Sequence, residues 1–319
     1  MGFFNGKRIL VTGAAGFIGA HLCARLLQEG AEVHAPLREG SDRIRLAALA
    51  EGVQIHQVDL SDAEAVRELF ARVRPEGVFH LAAANASYGK VPTPEQLREV
   101  NIEATLFLMD EMLQYEFDFF VNTDTCVMVG PKDHPITEDE VLEPMEPYGA
   151  SRVPGTEYTI ELGKTKKAPI VTVRVFTPYG PYLQKGKLLY TMITKALSGE
   201  TITLSAPEVN RDLIYIDDLI DIYMKAAEKA REHPGEVFNG GSGTSTTLMA
   251  LGEEVRARIP GTPEIEWNNV VAEYDKAVWC ADTTKVRTHL GWVPATQLGE
   301  GLDRTIAWFK EHQDYWKQA

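Results

Sequence analysis

The sequence contains few cysteines and no long apolar run. Its three cysteines, Cys23, Cys126 and Cys280, lie far apart, so they match neither a disulfide framework nor the close spacing of a zinc site. We therefore expect a reducing compartment, the cytoplasm, and no metal site. No stretch of about 20 apolar residues occurs, and residues 1–8 have no signal-peptide pattern, so we expect no membrane span.

Positive charge is also scarce. The 319 residues include 32 lysines and arginines against 46 acidic residues, which gives a net charge of -14. A field of this sign repels nucleic-acid backbones and anionic lipids, so we expect neither as a partner. A few local cations can still bind a small anionic ligand. The content of 44% hydrophobic and 24% charged residues is typical of a folded chain with a substantial core.

The first half of the chain alternates short apolar strands with helical patterns. The predicted strands are rich in Val, Ile and Phe, and they lie at 8–12, 32–36, 53–58, 77–81, 119–123 and 170–176. Helical periodicity is found near 17–29, 42–50, 62–73, 95–115 and 148–165. This alternation predicts a parallel sheet with helices on both faces. With right-handed crossovers, the simplest topology is a doubly wound Rossmann sheet of the α/β class.

The pattern changes after residue 176, where a turn-rich segment begins. The elements predicted beyond it are helices at 187–198, 217–230, 246–258 and 299–312, with strands at 201–204 and 237–239. They indicate a smaller C-terminal domain interleaved with the sheet. We predict a Rossmann domain made of 1–176 and about 211–240, and a substrate-binding cap made of 177–210 and 241–319.

A glycine-rich loop joins the first strand to the first helix. Residues 7–19 read KRILVTGAAGFIG. Gly13 permits a tight turn, Gly16 lets backbone amides approach a pyrophosphate, and Gly19 lets the helix pack closely on the strand. In this strand–loop–helix setting the motif predicts a dinucleotide site, the alternative being a glycine turn of structural use only. The predicted cofactor contacts in the loop are Gly13, Ala15, Gly16, Phe17 and Ile18.

Later strand ends extend this predicted cofactor site. Asp59 and Leu60 end the third strand, where a carboxylate can accept a hydrogen bond from an adenine amino group. The fourth strand ends in HLAA (80–83), whose small residues let backbone lie along the adenosine. The further predicted contacts at strand ends are Leu81, Ala82, Ala83 and Thr123.

The residues after the second strand bear on which dinucleotide binds. NAD-selective sites place a carboxylate there, on the ribose 2′-hydroxyl. Here Leu37 stands in that place, followed by Arg38 and Ser41. A cation suits a 2′-phosphate through charge-assisted hydrogen bonds. We therefore predict NADP, bound by Arg38 and Ser41, and keep NAD as the alternative if Arg38 is an ordinary surface arginine.

A tyrosine and an arginine share the start of a predicted helix, in the stretch YGASR (148–152). Positions four apart lie on one helix face, so Tyr148 and Arg152 should project together toward the cofactor. A free tyrosine has a pKa near 10 and needs a positive neighbour to exchange protons near neutrality. Arg152 can supply that charge.

These stretches resemble the extended short-chain dehydrogenase/reductase family of nucleotide-sugar epimerases, dehydratases and ketoreductases. The motifs cover nearly the whole chain: TGAAGFIG (12–19), DLSD (59–62), HLAA (80–83), YGASR (148–152), RVFTPYGP (174–181), RDLIYIDDL (211–219), FNGGSG (238–243) and LGWVPAT (290–296). The resemblance implies a nucleotide-diphosphate sugar as substrate. It also implies a homodimer formed through the helices at 95–115 and 148–165.

The resemblance assigns roles at the reacting centre. In the family a tyrosine exchanges a proton with the sugar oxygen, which implies Tyr148 as proton donor. A Ser or Thr five positions before a Gly bonds the same oxygen, and Thr125 before Gly130 has that spacing. Arg152 replaces the family's lysine. At about 4 Å and an effective dielectric near 20, its charge is worth roughly 4 kcal/mol, or about 3 pKa units. Three outcomes stay open: an active enzyme, a slowed one, or a non-catalytic NADP-binding protein.

Two further positions are implied to contact the substrate. Arg211 and Thr177 match family positions at the nucleotide diphosphate, although Arg211 could instead pair with Asp212 or Asp217. We expect Asp217 and Asp218 to cap a helix, and the acidic run 138–140 to lie in solvent.

The two residues after Thr125 limit which of the family's reactions we expect. Family 4,6-dehydratases carry Asp-Glu there, whereas this chain has Cys126 and Val127, which disfavours dehydration. The remaining reaction type is oxidation or reduction of a carbonyl or alcohol at one carbon of the sugar. It is either net reduction of a 4-keto sugar by dissociable NADPH, which we favour, or 4-epimerisation with tightly bound NAD.

Overall fold

The computed structural model describes residues 2–49, 51–85, 91–272, 275 and 278–317. Its strands in chain order are β1 Arg8–Thr12, β2 Glu32–Leu37, β3 Val53–Gln57, β4 Gly77–His80, β5 Phe119–Thr125, β6 Ile170–Val175, β7 Thr177–Tyr179, β8 Thr203–Leu204, β9 Asn210–Tyr215, β10 Val237–Gly240, β11 Ser245–Thr247 and β12 Glu266–Trp267. Its α-helices are α1 Phe17–Gln28, α2 Ala63–Val73, α3 Pro94–Arg98, α4 Ala104–Met112, α5 Pro147–Lys166, α6 Leu188–Ser198, α7 Ile216–Glu228, α8 Leu248–Arg258, α9 Thr284–Leu290, α10 Leu298–Glu311 and α11 Gln313–Lys317.

Seven parallel strands form the central sheet, in the order β10-β6-β5-β4-β1-β2-β3. Alternate residues of its strands face opposite sides. Val78 and Phe120 pack toward α2 and α4, whereas Phe79 and Val121 pack toward α1 and α7. Both faces are therefore buried, which confirms the predicted α/β doubly wound class. The strand order reverses between β1 and β4, and ligands bind at the carboxyl ends of such a switch point.

Two predicted helices differ from the structure. The segment predicted as helix 42–50 contains a short 3₁₀ helix at Ile44–Leu49. The predicted helix 95–115 is broken into α3, a π-helical turn at Glu99–Glu103, and α4. Such a turn often marks a functional position inside a helix. Here it carries a buried asparagine whose contacts are described with the site.

Strand β5 continues two residues beyond its predicted end. Asp124 and Thr125 pair with Arg174 and Val175 of β6, so tertiary pairing lengthens the strand. The periodicity of β5 alone could not show this, because neither Asp124 nor Thr125 is apolar.

The C-terminal region covers the carboxyl ends of the large sheet. Strand β9 pairs with β7 in parallel and with β11 in antiparallel, and β8 pairs with β12. Helices α6, α8 and α10 pack together beside these strands. The division into two domains, the homodimer and the cytoplasmic location stay predictions. Among the described residues, no helix combines the length and apolar character needed to cross a bilayer.

The paired acids at the start of α7 do not cap it, which corrects the expectation. The Asp218 carboxylate accepts hydrogen bonds from the backbone of Ala295 and Thr296 at 3.1 and 2.9 Å. Asp217 lies 3.8 Å from the guanidinium of Arg304. Asp218 therefore fastens the segment after α9 to α7, a contact between residues distant in sequence.

The acidic run 138–140 is only partly in solvent, which is a second correction. Glu138 is half-buried, and its carboxylate accepts from the backbone N–H of Asn239 at 3.0 Å. Burial raises the pKa of Glu138 above its usual range. Glu140 accepts from the Thr137 hydroxyl at 3.2 Å, and only Asp139 is exposed.

Candidate active site

A cavity of about 1120 Å³ lies along the carboxyl ends of β1, β4 and β5. Most of the predicted cofactor contacts line it, namely Gly13, Ala15, Gly16, Phe17, Ile18, Arg38, Ser41, Leu60, Leu81, Ala82, Ala83, Thr123, Tyr148 and Arg152. Asp59 lines an adjoining depression that shares Arg38 and Ser41 with the cavity. The predicted substrate contacts Thr125, Thr177 and Arg211 line the same cavity. The fold thus brings together residues from separate stretches of sequence.

The glycine loop is shaped by close backbone approach. Gly13 has a left-handed φ of +68°, and a Cβ there would lie 2.8 Å from the backbone nitrogen of Ala82. A Cβ on Gly19 would lie 2.2 Å from the Gly13 carbonyl oxygen. Helix α1 follows with Gly16 at its N-cap and no side-chain cap. The first-turn amides and the helix dipole therefore face a position suited to phosphate.

The surroundings of Arg152 show whether the cavity suits a dinucleotide. Its side chain is buried, with 3% of the residue exposed, and it lines the cavity. One guanidinium nitrogen, Nη2, donates to the backbone oxygen of Thr123, while Nη1 has no hydrogen-bond partner among the described residues. A buried donor of this kind needs an acceptor, which a ribose hydroxyl would provide. Together with the glycine loop, Arg152 fits a bound dinucleotide.

The segment after β2 stands at the rim of the cavity. Leu37 is buried, while Arg38 is exposed. The Ser41 hydroxyl donates to the backbone oxygen of Arg38 at 2.7 Å, which fixes the turn that carries both side chains. The arginine is therefore placed to meet an anionic group at this rim, and NADP selectivity stays a prediction.

Tyr148 begins helix α5 and lines the cavity with Arg152, four residues further on. Burial raises the pKa of Tyr148 above its ordinary value; the positive charge of Arg152 opposes this rise, and the charge of Asp124 adds to it. Tyr148 therefore carries its proton at neutral pH. This suits a group that gives a proton to a substrate oxygen.

Thr125 ends β5 and adjoins a buried ion pair that we did not predict. Its backbone N–H donates to the Asp124 carboxylate, whose other oxygen lies 3.1 Å from Nε of Arg174. The Arg174 and Asp124 side chains are 2% and 0% exposed. Arg174 also donates to the backbone oxygen of Glu138 at 3.2 Å. Because Asp124 and Arg174 are fifty positions apart, only the pairing of β5 with β6 brings them together.

A buried hydrogen-bond chain fixes the loop after β4. The Thr12 hydroxyl accepts from the backbone N–H groups of Leu81 and Ala82, both at 3.1 Å, so its own proton points to Nδ1 of His80 at 2.8 Å. Nε2 of His80 then donates to the Thr105 hydroxyl at 2.9 Å. Burial lowers the pKa of His80 to about 3, which keeps the ring neutral. The apolar stretch around His80 carried no signal for this network.

Asn101, in the π-helical turn, is a second site residue that we did not predict. It is fully buried, and its side chain accepts from the N–H of Ala84 at 2.7 Å and donates to the Ala84 oxygen at 3.0 Å. It also donates to the Ser151 hydroxyl at 2.8 Å, which donates to the Tyr148 backbone oxygen at 2.7 Å. One side chain thus holds the loop after β4 and the start of α5.

Arg211 makes an ion pair, but with neither of the two predicted partners. Its guanidinium pairs with Asp275 and also donates to the backbone oxygen of Asn210 at 2.7 Å. Neighbouring residues of a strand point to opposite faces, so Arg211 faces the cavity and Asp212 faces away. The buried Asp212 carboxylate instead accepts from the backbone of Ser242 at 2.7 Å, and from Gly243 and Ala281.

A doubly wound sheet, a glycine loop and a Tyr–Arg pair at one cavity are together the features of the extended short-chain dehydrogenase/reductase family. The chain belongs to the NAD-dependent epimerase/dehydratase family, whose model matches residues 9–241. This confirms the resemblance that the motifs indicated.

Relatives of known structure and function are similar over almost the whole chain. A dTDP-glucose 4,6-dehydratase of Streptomyces griseus is 27% identical, covering 97% of this chain and 96% of that protein. The structure of UDP-glucose 4-epimerase with UDP-glucose from Thermotoga maritima superposes with a TM-score of 0.86 at 28% identity, covering 96% and 99% of the two chains. The structure of UDP-glucuronic acid 4-epimerase with NAD from Bacillus cereus superposes with a TM-score of 0.81 at 26% identity. The match covers 95% of this chain and 98% of that one.

Proposed function

We propose that this protein is an oxidoreductase that reduces the 4-keto group of a nucleotide-activated sugar, with NADPH as reductant and Tyr148 as proton donor. The observation that carries the proposal is the meeting of Tyr148, Thr125 and Arg152 in one cavity with the glycine loop. These are the groups that a carbonyl reduction requires: a proton donor, a second hydrogen bond to the oxygen, and a charge that stabilises a phenolate.

The roles of the residues follow from this arrangement. The nicotinamide, when bound, supplies the hydride for the carbonyl carbon. The Tyr148 hydroxyl gives its proton to the carbonyl oxygen and is left as phenolate. The Thr125 hydroxyl donates a hydrogen bond to the same oxygen, and the guanidinium of Arg152 stabilises the phenolate. Arg211, which lies on strand β9 and lines the cavity, would contact the substrate diphosphate.

A 4-epimerase is the second candidate, and two relatives favour it. The Thermotoga maritima and Bacillus cereus proteins are 4-epimerases of nucleotide sugars. The proton transfer at Tyr148 would be the same, run first as oxidation and then as reduction on the other face of the sugar. Dehydration is less supported, because Cys126 and Val127 follow Thr125. Burial raises the pKa of the Cys126 thiol to about 12, so it offers no acid–base group near neutrality.

The proposed function is tested with a panel of nucleotide 4-ketosugars and nucleotide hexoses, each supplied with NADPH or NAD. Consumption of NADPH with a 4-ketosugar supports the reductase. Purified protein that holds NAD tightly and interconverts C4 epimers, without net NADPH use, would refute the reductase and establish the epimerase. Cofactor binding without turnover on any member would support the non-catalytic alternative.

Removing the positive charge of Arg38 at the rim of the cavity should weaken the binding of NADPH only. We expect Arg38→Ala to raise the Kd for NADPH about tenfold, roughly 1.4 kcal/mol, and to leave the Kd for NADH unchanged, because only NADPH carries the 2′-phosphate. Titration of the free protein with each cofactor measures this. Arg43→Ala is the matched control, since Arg43 is exposed nearby but does not line the cavity. An equal rise in the Kd for NADPH and for NADH would contradict the predicted selectivity for NADP.

Changing Arg152 to the family's lysine should be tolerated. We expect Arg152→Lys to preserve or raise turnover, because the charge beside Tyr148 is kept. Arg152→Met should raise the pKa of Tyr148 by up to about 3 units and slow the reaction. Steady-state rates across pH measure both variants. Complete inactivation by Arg152→Lys in a folded protein would show that the pocket requires the guanidinium, which donates to Thr123 and has a second nitrogen without a partner among the described residues.

A further inference from the structure

Tyr223 carries a buried hydroxyl that the proposed reaction does not use. The residue lies on α7 among apolar side chains and is fully buried. Its hydroxyl is hydrogen-bonded to the Thr123 hydroxyl at 2.9 Å and has no other partner in the described part of the chain. Burial raises the pKa of Tyr223 above its usual range, so the hydroxyl stays neutral. A phenylalanine ring would fill the same space, so what the hydroxyl adds is its bond to Thr123.

Thr123 is bound both at its side chain and at its backbone. Alternate residues of β5 face α7, and Thr123 is one of them, which brings its hydroxyl to Tyr223. Strand β4 ends at His80, opposite Asn122, so β5 at Thr123 has passed the end of this neighbour. The Thr123 carbonyl accepts from Nη2 of Arg152, which belongs to α5 on the other face of the sheet. Side chains from two helices therefore meet on one strand residue.

The contact with Thr123 determines how the guanidinium of Arg152 is held. A guanidinium is a planar fork, so fixing one of its nitrogens fixes the direction of the other. The Thr123 carbonyl holds Nη2, while Nη1 is buried without a partner among the described residues, on a side chain that lines the cavity. The lysine that Arg152 replaces has one nitrogen with rotatable donors and needs no such anchor. In this chain the position of the Thr123 carbonyl therefore sets where Nη1 points.

We propose that Tyr223 is a positioning residue for Arg152: by holding Thr123 it fixes the carbonyl that anchors Nη2, and it thereby keeps Nη1 in place to donate to a bound dinucleotide. The next residue of β5 does not take over this task, because the Asp124 carboxylate pairs with Arg174. The inference rests on the proposed function only in that a dinucleotide binds beside Arg152. It does not depend on which reaction follows.

Titration of the full-length protein with NADPH and with NADH tests this inference without substrate. For the cofactor that the unaltered chain binds more tightly, we expect Tyr223→Phe to raise the Kd about fivefold, which is roughly 1 kcal/mol, the usual net contribution of one hydrogen bond. In the Arg152→Lys background, Tyr223→Phe should change the Kd less than about twofold, because lysine does not use the anchor. A loss of packing alone would raise the Kd equally in both backgrounds.

Tyr215→Phe is the matched control, because Tyr215 is also buried but lies on β9 and does not line the cavity; the Kd should stay unchanged. An unchanged Kd in Tyr223→Phe, or an equal rise in the arginine and lysine backgrounds, would overturn the inference. Binding of neither cofactor by the unaltered chain would overturn it too. If Tyr223→Phe does not fold, Thr123→Val removes the other hydroxyl of the pair and is judged by the same outcomes. Because the titration needs no turnover, its result is independent of the reductase assay.

Discussion

Replacing Tyr148 with phenylalanine is expected to lower turnover by a factor of about 10²–10⁴, the usual contribution of a positioned proton donor. The ring remains, so its packing at the start of α5 is kept and cofactor binding should be retained. Only the hydroxyl is lost. Steady-state kinetics measure the loss, and fluorescence titration with NADPH checks the binding.

Tyr158→Phe provides the matched control for this result. Tyr158 lies on the same helix, outside the cavity, and its hydroxyl donates to Asp110 at 3.0 Å. Its loss should leave turnover unchanged. Retained turnover in Tyr148→Phe would refute the assigned proton donor, whichever of the two candidate reactions the protein performs.

The second large effect concerns stability. Asp124→Ala should lower the free energy of unfolding by about 3–5 kcal/mol, because it leaves the buried guanidinium of Arg174 without its counter-charge. The pair is almost fully buried, so water cannot compensate for the lost partner. Urea unfolding at neutral pH measures the change. The double variant Asp124→Ala/Arg174→Met should recover part of the loss, since it removes the unpaired charge as well.

An exposed ion pair serves as the comparison. Glu64 and Arg67 pair on the surface of α2, where both side chains are more than half exposed. Glu64→Ala should leave the free energy of unfolding nearly unchanged, because solvent screens such pairs. Suppose that Asp124→Ala changed the free energy of unfolding as little as Glu64→Ala. The buried pair would then have no part in holding the ends of β5 and β6 together, and the position of Thr125 would need another explanation.

Much of the cavity lining was predictable because its signals are local. The glycine loop, the strand before it and the helix after it lie within one short stretch, and the steric limits on Gly13 and Gly19 act within that stretch or at the adjoining strand. The shared helix face of Tyr148 and Arg152 follows from helical periodicity alone. Residues of this kind could therefore be assigned from spacing.

The residues that orient the site were not predictable in the same way. Asn101 is a single polar residue in a helical pattern, and nothing nearby in the sequence shows that it grips Ala84 and Ser151. Arg211 was expected to pair with a neighbour in sequence, but strand geometry sends the side chain of Asp212 to the other face and leaves Asp275 as partner. Asp218 likewise binds a segment far along the chain.

The sequence by itself determined the doubly wound sheet, the glycine loop, the family and the residues placed along the cavity. These properties depend on periodicity, chain-local sterics and motif spacing. Only the tertiary structure decided how each polar group is satisfied: the bond of Arg152 to the Thr123 backbone, the hydrogen bonds of Asn101, and the buried pair of Asp124 with Arg174. A buried polar group must find a partner, and the folded backbone decides which one lies within reach.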